Sequence, residues 1–290
     1  MRIAGAPISW GVCEVPGWGY QMGPDRVLAE MRDLGLTATE AGPEGFLPGG
    51  RADREALLAE YGLGLVGAFL PVLLHDPAYD PVPVVERALD GIGEGAVLVL
   101  AAATGRDGYD ERPVLDTRAW RTLVANLDAI TARAADCGGL VTLHPHVGTV
   151  VEGCAEVERV LGASSVPLCL DTGHLLAGGT DPVWLTRFAS ARIAHVHLKD
   201  VDAALAERVR RGEVTYASAV RDGLYRPLGD GDVDIPAIVR TLEVAGYEGW
   251  YVMEQDAVLA DEPPPGTGPY GDVRRSLDYL AGTVPAGPRG

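Results

Sequence analysis

Basic residues are scarce in this 290-residue chain: 24 Lys and Arg stand against 41 Asp and Glu, a formal net charge of −17. Nucleic acid and anionic membranes are bound through clustered Lys and Arg. No basic run here is long enough to build such a surface, so neither is expected as a partner. Cysteine is sparse too: Cys13, Cys137, Cys154 and Cys169 are scattered, with no CxxC pair. They read as reduced thiols of a cytosolic protein, not as a disulfide framework or a zinc knuckle. No apolar stretch approaches the ~18 residues of a membrane span. The opening MRIAGAPISWG lacks the charged-then-apolar build of a signal peptide, so a cytoplasmic location is expected. Neither a Gly-x-Gly-x-x-Gly fingerprint after the first strand nor a Walker loop is present.

What the chain does have is a core. Hydrophobic residues make up 47% and charged ones 22%, normal for a globular protein. Apolar runs alternate with helical spacing almost without interruption. Strands are expected at residues 2–8, 36–41, 63–74, 97–103, 140–146, 166–170, 192–196 and 250–254. Helices are expected at 24–34, 52–61, 82–93, 117–137, 152–161, from Asp181-Pro182 onward, at 235–245 and at 272–280. Residues 202–220 read as largely helical, 224–234 as a Gly-rich loop, and the tail from about 262 as loop around its one helix. No internal repeat or interdomain linker appears. Eight strands alternating with helices predict a parallel sheet, and at this length a closed (β/α)8 TIM barrel in one domain.

The six histidines, His75, His144, His146, His174, His195 and His197, all lie in or just after an expected strand, toward its C-terminal end. In a barrel those ends converge on one face. Alternate side chains of a strand share a face. That groups Thr142, His144 and His146; Cys169 and Asp171; His195, His197 and Lys199; and Val252 with Glu254. Such a set of carboxylates, imidazoles and one lysine suits a divalent metal of intermediate hardness, Mn²⁺, Co²⁺ or Zn²⁺.

DTGH on one strand, HLKD on the next and ME closing the last resemble the xylose isomerase-like barrel superfamily, which holds sugar epimerases, isomerases and metal-dependent AP endonucleases. The block APISWGVCEVPGWGYQM, followed by TATEAGPEGFLP, resembles the inosose dehydratase branch. The resemblance implies metal ligands at Asp171, His197 and Glu254. The fourth ligand, usually a Glu, aligns with His144; His146 and Glu152 are its alternatives. Mn²⁺ or Co²⁺ is the implied metal, with Zn²⁺, Mg²⁺ and Fe²⁺ behind them. Leu224, Tyr225 and Arg226 offer no further ligands, which counts against DNA repair.

Around this centre, Lys199, Glu254 and His146 are the candidates for proton transfer, with base and acid unassigned. Trp10, Glu14 and Trp18 in the first loop, Glu40, His75, His174 and Arg226 are the candidates for substrate contact. His195 lies one layer deeper and supports the ligands. Lacking an Arg/Lys cluster, the site suits an unphosphorylated polyol. The implied reaction is dehydration of a keto-inositol through an enediolate, with ketose epimerisation or isomerisation as the alternative. A barrel that binds without turnover is the third reading. Assembly as a homodimer or homotetramer is implied by the resemblance alone.

Overall fold

The near-continuous apolar run VLVLAAA forms β4 (Val97–Ala103) in the computed structural model, which describes residues 1–283. A strand apolar on both faces belongs in a sheet covered on both sides. The other strands are β1 (Arg2–Gly5), β2 (Ala38–Glu40), β3 (Gly64–Leu73), β5 (Leu140–Leu143), β6 (Leu168–Asp171), β7 (Ile193–Leu198), a small antiparallel ribbon β8 (Asp200–Val201) and β9 (Tyr225–Arg226), and β10 (Trp250–Met253). All but the ribbon close into one barrel, ordered β1-β10-β7-β6-β5-β4-β3-β2, and every pair within it is parallel.

The helices are α1 (Pro24–Asp33), α2 (Arg51–Glu60), α3 (Val82–Ile92), α4 (Thr117–Asp136), α5 (Cys154–Ala163), α6 (Thr172–Ala177), α7 (Pro182–Ala189), α8 (Ala203–Arg210), α9 (Tyr216–Arg221), α10 (Ile235–Val244) and α11 (Pro269–Thr283). Local chemistry starts several of them. Asp116, Asp181, Asp202, Thr215 and Asp234 each accept a first-turn backbone N–H, and Pro182 and Pro236 stand where the lost donor costs nothing. The helices bury their apolar faces on the outside of the sheet in the main core. Small residues such as Ala4, Ala38, Val66 and Val252 form a separate cluster. These share strand parity with Glu40 and Glu254, which places them inside the barrel.

Several expected boundaries move. The first strand stops at Gly5, because Pro7 has no N–H to give a ladder and a 3-10 turn, Pro7–Trp10, follows. The fifth strand stops at Leu143, ahead of Pro145. The helix behind it starts at Cys154, not at Glu152. Residues 202–220 divide into α8 and α9 around Gly212, whose φ of 66° no helix accommodates, and the Gly-rich loop contains β9. The last helix begins at Pro269; the expected loop at its far end lies partly outside the described residues. Among the described residues, no helix is long and apolar enough to cross a membrane.

Candidate active site

Strand register sets the site. Asp171 on β6 pairs with His197 on β7, and His197 pairs with Val252 on β10, two residues short of Glu254. Asp171 then caps α6: its Oδ1 accepts the N–H of Gly173 at 2.9 Å and of His174 at 2.8 Å. Helix cap and site residue are therefore one role split between two oxygens. Oδ2 is left to face three groups, Lys199 Nζ at 3.1 Å, His144 Nε2 at 3.2 Å and His197 Nδ1 at 3.5 Å. Glu254 Oε2 lies 3.2 Å from His197 Nδ1 and 2.8 Å from Lys199 Nζ.

His197 is held from behind. Its Nε2 lies 3.1 Å from Glu40 Oε1, and His195 Nε2 lies 2.8 Å from the same oxygen. A carboxylate only accepts, so Nε2–H points at Glu40, and Nδ1 is the nitrogen left to offer a lone pair when the ring is neutral. That Nδ1 is buried without a hydrogen-bond partner, and so are both ring nitrogens of His144. Orphaned buried polar atoms are costly and rare. Lone pairs that converge with two carboxylates are what a divalent ion requires, and a second carboxylate behind the histidine fixes its tautomer. Asp171, His197 and Glu254 bring ligand atoms within 4.8 Å of one another, and His144 does so with Asp171. These four residues can hold a divalent metal ion. Glu152 cannot join them: it accepts the N–H of Gly148 at 2.7 Å and pairs with Arg112 at 3.2 Å.

The charges follow from this crowding. Burial would raise Asp171, yet Lys199 and His174 hold its carboxyl well below the usual range. Glu254 is lowered against burial by His197 and Lys199, and Glu40 by His197 and His195. Burial disfavours charge on His197, but Cys169, Glu254 and Glu40 hold it well above its ordinary value. Lys199, only 3% exposed, stays an ammonium despite burial because Asp171, Asp256 and Glu254 surround it. His146 goes the other way: burial, with His144 and Lys199 nearby, lowers it to about 3. Its Nδ1 lies 2.7 Å from the Val147 carbonyl, which can only accept, so Nε2 carries the lone pair.

These groups floor a cavity of about 380 Å³. His144, His146, His197, Lys199, Glu254 and Asp256 line it below; Phe69, Trp18 and Tyr109 line its side, and Glu14 and Glu44 its exposed rim. Trp18 and Tyr109 lie 6.4 Å apart, and the Trp18 indole donates to the Ala257 carbonyl at 3.0 Å, so its rings face the cavity as an apolar wall.

Residues 28–280 match the family model of the Xylose isomerase-like TIM barrel. The chain belongs to that family. It is 33% identical over 267 residues to the rhizopine catabolism protein MocC of Rhizobium meliloti, covering 88% of this chain and 82% of the relative. It is 31% identical over 299 residues to an inosose dehydratase of Geobacillus kaustophilus (strain HTA426), covering 96% and 93%. The crystal structure of the IolI protein with a binding zinc atom has the same fold at a TM-score of 0.64 and 13% identity, covering 98% of each chain. With full-length dehydratase relatives, this xylose isomerase-like barrel is an enzyme.

Four expected substrate contacts of this family member are not at its cavity. Trp10 is fully buried and spends its indole N–H on Glu30 of α1 at 2.8 Å. His75 lies two residues past the end of β3, where strand alternation no longer aims it, and does not line the cavity. Arg226 turns outward on the ribbon to pair with Asp202 at 3.1 Å. His174 sits behind His146, the two rings stacked at 3.6 Å, with Nδ1 3.3 Å from Tyr225 Oη. Glu40 lines the cavity but is engaged by two histidines and does not balance Lys199.

Sequence reading missed Asp256, whose Oδ1 is 3.0 Å from Lys199 Nζ. Parity with Glu254 in MEQD was its signal. Lys199 is the single lysine of the chain. Tyr109 comes from an irregular loop and left no periodic trace. Gly173 of DTGH leaves room for the lysine: a Cβ there would stand 2.5 Å from Lys199 Cβ and 2.9 Å from the Tyr225 ring.

Proposed function

We propose that this enzyme dehydrates 2-keto-myo-inositol to a trihydroxycyclohexane-1,2-dione through an enediolate, with a divalent metal held by Asp171, His197, Glu254 and His144. One observation carries the reading: a neutral imidazole, His146, and an ammonium, Lys199, flank the same cavity floor as the metal-competent set. A dehydration needs a proton taken at one carbon and given to a hydroxyl on the next. The full-length inosose dehydratase relatives support the substrate.

His146 Nε2, its lone pair fixed by the Val147 carbonyl, takes the proton from the carbon beside the ketone. The C–H electrons move into the enediolate. Lys199 then gives a proton to the β-hydroxyl, which leaves as water, and the resulting enol tautomerises to the dione. When bound, the metal supplies Lewis acidity toward the substrate's carbonyl oxygen. Glu40 and His195 hold His197 in its ligating tautomer. The apolar wall of Trp18 and Tyr109 faces the ring C–H groups, and the acidic rim disfavours phosphorylated substrates. Mixed carboxylate and imidazole donors suit Mn²⁺ or Co²⁺; the zinc of the IolI structure keeps Zn²⁺ as an alternative.

The test is incubation of the metal-loaded protein with 2-keto-myo-inositol, following the dione by its ultraviolet absorbance. Appearance of the dione is expected. An isomeric ketose formed without loss of water would transfer the protein to the epimerases, and no turnover with Mn²⁺, Co²⁺, Zn²⁺, Mg²⁺ or Fe²⁺ would overturn the reading.

A further inference from the structure

We propose that Asp256 is the positioning residue that aims Lys199 into the cavity once Asp171 and Glu254 are engaged by a metal ion. The proposal rests on the metal-dependent reading above. Three carboxylates surround Lys199 Nζ: Glu254 at 2.8 Å, Asp256 at 3.0 Å and Asp171 at 3.1 Å. Two of them belong to the metal-competent set. Moreover, the very oxygens that face the lysine, Asp171 Oδ2 and Glu254 Oε2, are the ones that face the imidazoles. Ammonium and metal ion therefore draw on the same lone pairs. Asp256 makes no contact with His144 or His197 among the described residues, and it alone stays free for the lysine.

The fold holds Asp256 accordingly. Its Oδ2 accepts from Tyr216 Oη at 3.2 Å, and Tyr216 Oη lies 3.0 Å from Tyr225 Oη. Tyr225 also places its ring 5.5 Å from Lys199 Nζ, within cation–π range. Tyr216 is itself tied through its backbone N–H to Asp110 at 3.0 Å, one residue from Tyr109 in the cavity wall. With Oδ2 anchored, the buried Oδ1 is the oxygen that faces the lysine, 3.0 Å from its Nζ. His174 Nε2 lies 3.9 Å from Oδ2, too far to compete with Tyr216 for it. So the ribbon and α9, which add nothing to the barrel sheet, carry two tyrosines whose joint effect is to fix one carboxylate.

Because Lys199 is the only lysine, protein grown on ¹⁵Nζ-lysine gives one side-chain ammonium signal. The experiment compares that signal, bound Co²⁺ by its visible absorption, and steady-state kinetics in Asp256→Asn, Tyr216→Phe and the unmodified chain. In Asp256→Asn the expected result is unchanged Co²⁺ stoichiometry and, in the diamagnetic Zn²⁺-loaded protein, a lysine signal shifted toward that of free lysine. Its kcat should drop about 10²-fold, as for a misplaced general acid, with KM within about threefold. Tyr216→Phe should show the same signs at about one-tenth the size, and it supplies the answer should Asp256→Asn not fold. An unmoved lysine signal in the metal-loaded variants overturns the proposal, as does loss of Co²⁺ together with activity, which would make Asp256 a ligand. If the unmodified protein does not turn over the keto-inositol, the proposed reaction fails, while the lysine signal still decides the role of Asp256.

Discussion

On one side of the cavity, His144, Asp171, His197 and Glu254 stand at the ends of neighbouring strands; on the other, Trp18, Tyr109 and Glu44 come from the loops after β1, β4 and β2. The strand side is held by ladder hydrogen bonds such as Glu254 N–H to the Leu198 carbonyl at 3.1 Å, and by a fixed register. The loop side is held by ring against ring, Tyr109 lying 4.8 Å from Tyr216 and 6.4 Å from Trp18. Rigid elements give reacting groups their tolerances, while loops can change without disturbing the sheet. On the proposed function, chemistry falls to the first side and substrate choice to the second.

Asp171→Ala attacks the chemical side hardest. It removes a proposed metal ligand, the α6 cap and a partner of Lys199 together, so activity should fall by more than about 10³-fold with loss of bound Co²⁺, since metal, orientation and charge go at once. Activity above a tenth of the original would break the division. His146→Gln should cut kcat by about 10²–10³-fold while Co²⁺ binding persists; metal lost in parallel would move His146 into the ligand set. Trp18→Ala belongs to the other side. It should raise KM about tenfold with kcat changed less than about threefold, the pattern of lost uniform binding. A purely kcat effect would erase the distinction between floor and wall.

The smallest effect expected is on stability against pH, measured by thermal unfolding with chelator present. His144, His146 and His174 are held neutral, below their ordinary 6.5, and for His146 down to about 3. As pH falls below 6.5 the unfolded chain takes up protons that the folded chain refuses, so stability declines. Glu40, lowered from 4.5, adds to the decline as pH drops below that value. His197 acts oppositely: its contribution is complete below 6.5 and fades only as pH rises through its elevated folded value. Below 6.5 the three lowered histidines and Glu40 still change while His197 does not, so those four set the sign. The melting temperature should fall steadily from about pH 6.5 to about pH 4, less steeply in His146→Gln; a flat profile would contradict the buried neutral cluster.

The barrel and its reactive floor were legible because both rest on period two. Parity alone brought His144, Asp171, His197, Lys199 and Glu254 to one face. The wall was only half legible. Trp18 was found through a resemblance, while Trp10, with the same look in the sequence, turned inward to Glu30 because a 3-10 turn replaced the end of the first strand. Tyr109 and Tyr216 could not be found: one sits in a loop without period, the other opens a short helix. Their meeting with each other, and that of Tyr216 with Asp256, are long-range contacts that no local pattern encodes. His75 and Arg226 lie away from the cavity for separate reasons: one falls past the end of β3, and the other sits on the outlying ribbon and pairs with Asp202.

Gly173 fits against Lys199 so closely that the two residues are complementary shapes: the lysine stem fills the volume a side chain at position 173 would take. Anyone grafting this centre onto another barrel would have to carry the glycine along with the six groups proposed to do the chemistry. Without it, the donor atoms would be present and the lysine would have nowhere to stand.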